Sequence, residues 1–154
     1  MAIADVPSVT YTPLDIIELR HKRRESAFTQ LAVAAQRHGV VRDLDVVVAA
    51  LARRERLGST ALGKGVALTH ARSIAVARPF WILGRSPKGL DWAAPDGEPV
   101  EIVVTYLAHA EQSLDTHVSR LLVAAHALRQ QRTRHRLMTA DAPTAYALLQ
   151  GAIS

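Results

Sequence analysis

The chain has 154 residues, is 49% hydrophobic and carries a formal charge of +5 with a pI near 10.2, which is enough to bury one core of ordinary size. It has no cysteine, so disulfides, thiolate metal sites and cysteine nucleophiles are excluded within it. The longest apolar run, residues 46–52, is far short of the roughly 20 residues that a membrane helix needs.

The N-terminal stretch MAIADVPSVTYTPLDII has neither the basic start nor the apolar block of a secretory signal, and the cytoplasm is the expected location. A helix is predicted over about residues 24–38, with Phe28, Leu31 and Ala35 on one side and Gly39 ending it. A second is predicted over about residues 43–57, where Val46, Val47, Ala50 and Leu51 form the apolar stripe and Gly58 follows as a stop. The pattern then changes to a glycine-bearing loop, GSTALGKG, and a short strand over residues 66–68 that ends at Thr69 and His70. Residues 79–83 and 100–107 read as further strands, with SPKG as a turn between them and DGEP as the turn into the second. Ser113 reads as the N-cap of a long helix in which Leu114, Val118, Leu121, Leu122, Ala125 and Leu128 recur at helical spacing. Asp141 caps a last helix through Leu149. No repeat, low-complexity tract or linker divides the chain, so residues 1–154 are expected to form a single α/β domain, a sheet covered by helices on both faces.

Several side chains could carry chemistry. Gly58, Gly63 and Lys64 match the phosphate-loop pattern G-x-x-x-x-G-K. The next residue is Gly65, which lacks the hydroxyl that magnesium needs, and a helix precedes the loop where the motif needs a strand; nucleotide binding is rejected on both grounds. Arg54 lies on the line Val46, Ala50, Arg54 of the apolar stripe. Two readings stand: its stem packs on the core while its head snorkels to water, or its planar fork meets an anion held by the following loop. The cluster Arg129, Arg132, Arg134, His135 and Arg136 has no aromatic neighbours for base stacking and reads as a solvated helical face, not a nucleic-acid site.

Seven histidines occur, at positions 21, 38, 70, 109, 117, 126 and 135. His117 falls in the first turn of the helix after Ser113, where free backbone N–H groups favour an anion; a half-buried histidine at the sheet–helix boundary is the alternative. His70 closes a short strand beside a loop, where α/β proteins place working residues, and by itself is a weak signal. No H-x-x-x-H or H-E-x-x-H pair supports a metal site, and no G-x-S-x-G elbow supports serine hydrolysis.

Taken together, RERLGSTALGKGVALTHAR, residues 54–72, resembles the signature of the fructose, mannitol and nitrogen-regulatory type of enzyme IIA of the bacterial phosphotransferase system (PTS). There R-E-x-x-G-S-T leads through a glycine-containing loop to a histidine that accepts phosphate. The resemblance continues through DGEPVEIVVTYL and through HVSRLLVAAHAL from His117, so the motif-bearing part covers about residues 54–130. It implies a mixed β-sheet sandwiched between α-helices and a phosphotransferase-type carrier with no cofactor and no metal. It implies His70 as phosphoryl acceptor, His117 and Arg54 as its active-site neighbours, and Ser59 and Thr60 as phosphate-binding loop residues. The implied partners are an HPr-like phosphocarrier protein as donor and an enzyme IIB or a regulated target protein as receiver, with neither nucleic acid nor membrane insertion. With no cysteine and no membrane span, the chain is expected to be a stand-alone component, in nitrogen regulation or as a separately encoded transport subunit.

The departure is Thr69, where the family usually has proline. Its freed φ and restored N–H bear on the orientation of His70, and its hydroxyl offers an alternative contact to phosphate. A function of another class therefore stays open: a regulatory protein-binding module of the same fold in which transfer is lost.

Overall fold

The computed structural model describes residues 12–154, so the reading of the N-terminus as lacking an export signal falls largely on residues outside the described ones. The elements run β1 (Leu14–Glu18), α1 (Arg24–Arg37), α2 (Leu44–Arg56), β2 (Ala61–Gly63), β3 (Val66–Ser73), β4 (Phe80–Leu90), β5 (Val100–His109), α3 (Leu114–Leu128), α4 (Gln131–Leu137) and α5 (Ala142–Leu149).

Local capping chemistry sets the helix starts. Asp43, Ser113 and Asp141 each accept the backbone N–H three residues on, at Val46, Thr116 and Thr144, and so satisfy a donor that the first turn leaves free. Gly39 ends α1 at a φ of +71°, a left-handed conformation that costs glycine nothing, and its N–H closes on Gln36 O.

The strands form one mixed sheet in the order β1-β4-β5-β3-β2, with β1–β4 and β3–β5 parallel and β4–β5 and β2–β3 antiparallel. Alternate residues of each strand point to opposite faces. Ala67, Ala71, Ile82, Val103 and Leu107 face one core with Phe28, Leu31, Val47 and Leu51 of α1 and α2. Leu68, Trp81, Leu83, Val104 and Tyr106 face the other with Ala124, Leu128 and Leu148 of α3 and α5. The α/β architecture expected from the sequence, a mixed sheet between helical layers, is the one observed. Among the described residues no helix is long and apolar enough to cross a membrane.

Several local expectations are corrected. The SPKG stretch is part of β4, where the β4–β5 register shifts between Arg85 and Leu90; the irregularity is a bulge inside a continuing strand and not a turn. β3 does not end at His70 but pairs with β5 through Ser73. β1 and β2 were not foreseen: β1 is a short edge strand, and β2 lies inside the stretch read as loop. Gly63 pairs with Val66 across a two-residue turn in which Lys64 and Gly65 have φ of +58° and +80°, and Asp96 accepts the Lys64 N–H at 3.2 Å. The apparent phosphate-loop lysine is therefore the tip of a hairpin.

Two helices, α2 and α3, are also rotated from their expected faces. On α2 the buried line is Val47, Leu51 and Glu55, while Val46 is exposed. On α3 it is His117, Ala124, Ala127 and Leu128, while Leu114, Val118 and Leu122 face outward.

Candidate functional site

His70 is the fifth residue of β3, on the sheet face covered by α3, and is half-buried. Its hydrogen-bonding neighbours come from two elements far apart in sequence. The last turn of α2 carries Arg54, whose Nε donates to His70 Nε2 at 3.1 Å and whose Nη1 donates to Gly58 O at 2.8 Å. The guanidinium thus bridges the histidine and the loop, and does not merely snorkel to water. α3 begins over the sheet and brings His117, 2% exposed, so that its Nε2 lies 2.9 Å from His70 Nδ1, with the two ring centroids 5.0 Å apart.

Arg54 can only donate, so the neutral His70 ring carries its lone pair on Nε2 and its proton on Nδ1. Neutrality follows from the surroundings. Burial first, then the charges of Arg54 and Arg72, lower His70 from 6.5 to about 4. Burial, His70, Arg72 and Arg120 lower His117 to about 4 as well. At neutral pH the site is two uncharged imidazoles among cations, prepared for an anion rather than a proton.

The loop after α2 is held from below. Glu55 is a buried carboxylate that accepts the Thr60 N–H at 3.1 and 3.2 Å, the Thr60 hydroxyl, and Trp92 Nε1–H at 3.1 Å, with Arg24 3.6 Å away. Thr60 is itself buried and its hydroxyl is turned to Glu55, whereas Ser59 is exposed and its Oγ accepts the Ala61 N–H at 3.1 Å. Thr69 is fully buried, one residue before His70 on the strand, so its side chain points to the α2 face, away from the imidazole pair. Its hydroxyl does not approach the His70 ring.

The sequence-predicted residues Arg54, His70 and His117 are therefore brought together, with Ser59 and Thr60 on the adjoining loop. Sequence reasoning missed Arg72, Arg120, Tyr106 and Gln112. Arg72 follows His70 by two on a strand and Arg120 follows His117 by three on a helix, spacings that put each on its histidine's face. Tyr106 pairs with His70 across β3–β5 and Gln112 lies in the following loop; neither has a local signal.

Residues 12–150 match the family described as phosphoenolpyruvate-dependent sugar phosphotransferase system, EIIA 2. The fructose-specific EIIA component of Haloferax volcanii is 30% identical over 143 residues, which cover 92% of this chain and 91% of that one. The fructose-specific EIIABC component of Bacillus subtilis is 27% identical over 129 residues, 84% of this chain but only 20% of that longer protein. The crystal structure of nitrogen regulatory protein IIA-Ntr from Neisseria meningitidis superposes with a TM-score of 0.77 at 27% identity, over 90% of this chain and 93% of that one. The chain belongs to the EIIA 2 family of the phosphoenolpyruvate-dependent sugar phosphotransferase system.

Proposed function

We propose that this chain is a phosphohistidine carrier in which His70 Nε2 accepts a phosphoryl group from the phosphohistidine of an HPr-like protein. The observation that carries the reading is the Arg54 Nε–H on His70 Nε2 at 3.1 Å, with His117 on the other ring nitrogen at 2.9 Å. A nucleophile needs a free electron pair, and that hydrogen bond marks where the pair is. As the phosphoryl group arrives in line, the guanidinium moves from the nitrogen to the equatorial oxygens, where its planar fork neutralises spreading charge. The loop at Ser59 and Thr60 lies beside it, with Ser59 exposed and Thr60 anchored to Glu55 through its N–H and hydroxyl. No nucleotide or metal is needed for this exchange between two histidines, whose energies are close, so transfer is reversible.

The receiver is an enzyme IIB or a regulated target protein. Relatives with fructose-specific and nitrogen-regulatory names support both, and the cytoplasm is the compartment where either would be met. Incubation with an HPr-like protein carrying labelled phosphohistidine should leave an acid-labile label on wild type and none on His70→Ala. Capture of the donor without label on wild type would instead support the protein-binding module.

A further inference from the structure

The proton order at His70 runs on through two more residues. Because His70 Nδ1 holds the proton, His117 Nε2 at 2.9 Å is the acceptor, and neutral His117 keeps its own proton on Nδ1. That atom faces Gln112 Oε1 at 3.3 Å. The amide is also tied to Tyr106 at both ends: Gln112 Nε2 donates to Tyr106 Oη at 2.9 Å, the Tyr106 hydroxyl donates to Gln112 Oε1 at 3.2 Å, and the same hydroxyl oxygen accepts Arg120 Nη1 at 3.0 Å. Turned over, the amide would set its NH2 against the His117 N–H. Arg72 Nη1 donates to the main-chain carbonyl of Gln112 at 2.8 Å and ties this loop residue to β3, two positions beyond His70.

We propose that Gln112 is a positioning residue of the site: its side-chain carbonyl holds His117 in the Nδ1–H tautomer, so that the His117 Nε2 lone pair faces His70. The inference rests on the reading of His70 as phosphoryl acceptor. In the transfer, the His70 Nε2 pair forms the new N–P bond, the N–P bond to the donor imidazole breaks, and its electron pair returns to the donor nitrogen. The His70 ring is then left positive with its proton on Nδ1. His117 Nε2 takes that hydrogen bond or the proton itself, and Gln112 Oε1 holds the opposite N–H. With the other tautomer two N–H groups would oppose each other between the rings, and the positive charge would have no acceptor. A hydrogen-bond acceptor behind a working histidine keeps the ring in register by the same logic.

The test reads tautomer and rate separately. Protein labelled with ¹⁵N-histidine is compared by long-range ¹H–¹⁵N NMR at pH 7 as wild type, Gln112→Leu and Gln112→Glu, each checked for an unchanged thermal transition. Wild type should show His117 as the Nδ1–H form. Gln112→Leu should show mixed tautomers and label about 10- to 100-fold more slowly from the phosphorylated HPr-like protein, at an unchanged half-saturating donor concentration. Gln112→Glu keeps an acceptor, and should restore the tautomer and most of the rate while raising the His117 titration. A Gln112→Leu protein with wild-type tautomer and rate, or a Gln112→Glu protein as mixed as the leucine variant, would overturn the proposal. The NMR reading uses unphosphorylated protein, so a wild type that takes no label sinks the carrier reading alone, while the Gln112→Leu spectrum still decides the role of Gln112.

Discussion

Arg54 makes its two hydrogen bonds with two different nitrogens of one rigid fork, to His70 Nε2 and to Gly58 O. A lysine ammonium carries the same charge but cannot span both partners in that plane. Arg54→Lys should therefore retain the fold and slow phosphoryl transfer to His70 by about 100-fold, the cost of losing one oriented charge donor at a developing oxyanion. Measured single-turnover labelling within threefold of wild type would remove Arg54 from the transition state. The two histidines also predict a pH dependence with a definite sign. Their folded-state values near 4 lie below the ordinary 6.5, so between these the unfolded chain binds more protons than the folded one. Stability should fall as pH drops from about 6.5 to about 4 and this contribution should then level off, while labelling should persist at pH 5, where an ordinary histidine is mostly charged. Urea midpoints across this range, compared with a His70→Ala, His117→Ala double variant, check it: the double variant should show the shallower slope.

At the scale of elements, the link between α2 and the loop is one buried carboxylate. Glu55 accepts three donors from Thr60 and Trp92. Glu55→Ala strands those donors and the nearby Arg24 charge, and should cost about 3–5 kcal/mol in denaturant unfolding. A loss below about 1 kcal/mol would mean that the loop is held by other contacts. On β3, the main chain of Thr69 continues the parallel ladder with β5, while its hydroxyl and that of its partner Thr105 are buried with no hydrogen-bond partner. Thr69→Val keeps the shape and removes a desolvated hydroxyl, so it should stabilise by about 1 kcal/mol and leave labelling of His70 unchanged. A tenfold drop in labelling would show that the hydroxyl reaches the site after all. The helix ends were legible in the sequence because Asp43, Ser113 and Asp141 bond to N–H groups three residues away. The buried line of α2 was not, since a glutamate on it reads as solvent-facing until Thr60, Trp92 and Arg24 arrive from outside the helix.

For the whole molecule, the two cores share one sheet, so neither can be lost without baring the apolar face of the other. Trp92 lies in the α1–α2 core and Trp81 in the α3–α5 core, which provides a probe for each. Trp81→Phe and Trp92→Phe variants, each followed by its remaining tryptophan and by far-UV circular dichroism, should each show the same urea midpoint by both probes. Separated transitions within either variant would divide the chain into independent units. What the amino-acid sequence determined by itself was what neighbouring residues settle among themselves: capped helix starts, the glycine stop after α1, and the stretch from Arg54 to His70 that marks the family. Only the tertiary structure decided the rotation of α2 and α3, the run of β3 past His70, and the chain of hydrogen bonds from Arg54 through both histidines to Gln112 and Tyr106. Each of those depends on groups separated by a helix or a strand, and their positions follow from burying the most apolar area on both faces of one sheet, a sum over the whole chain that no local window contains.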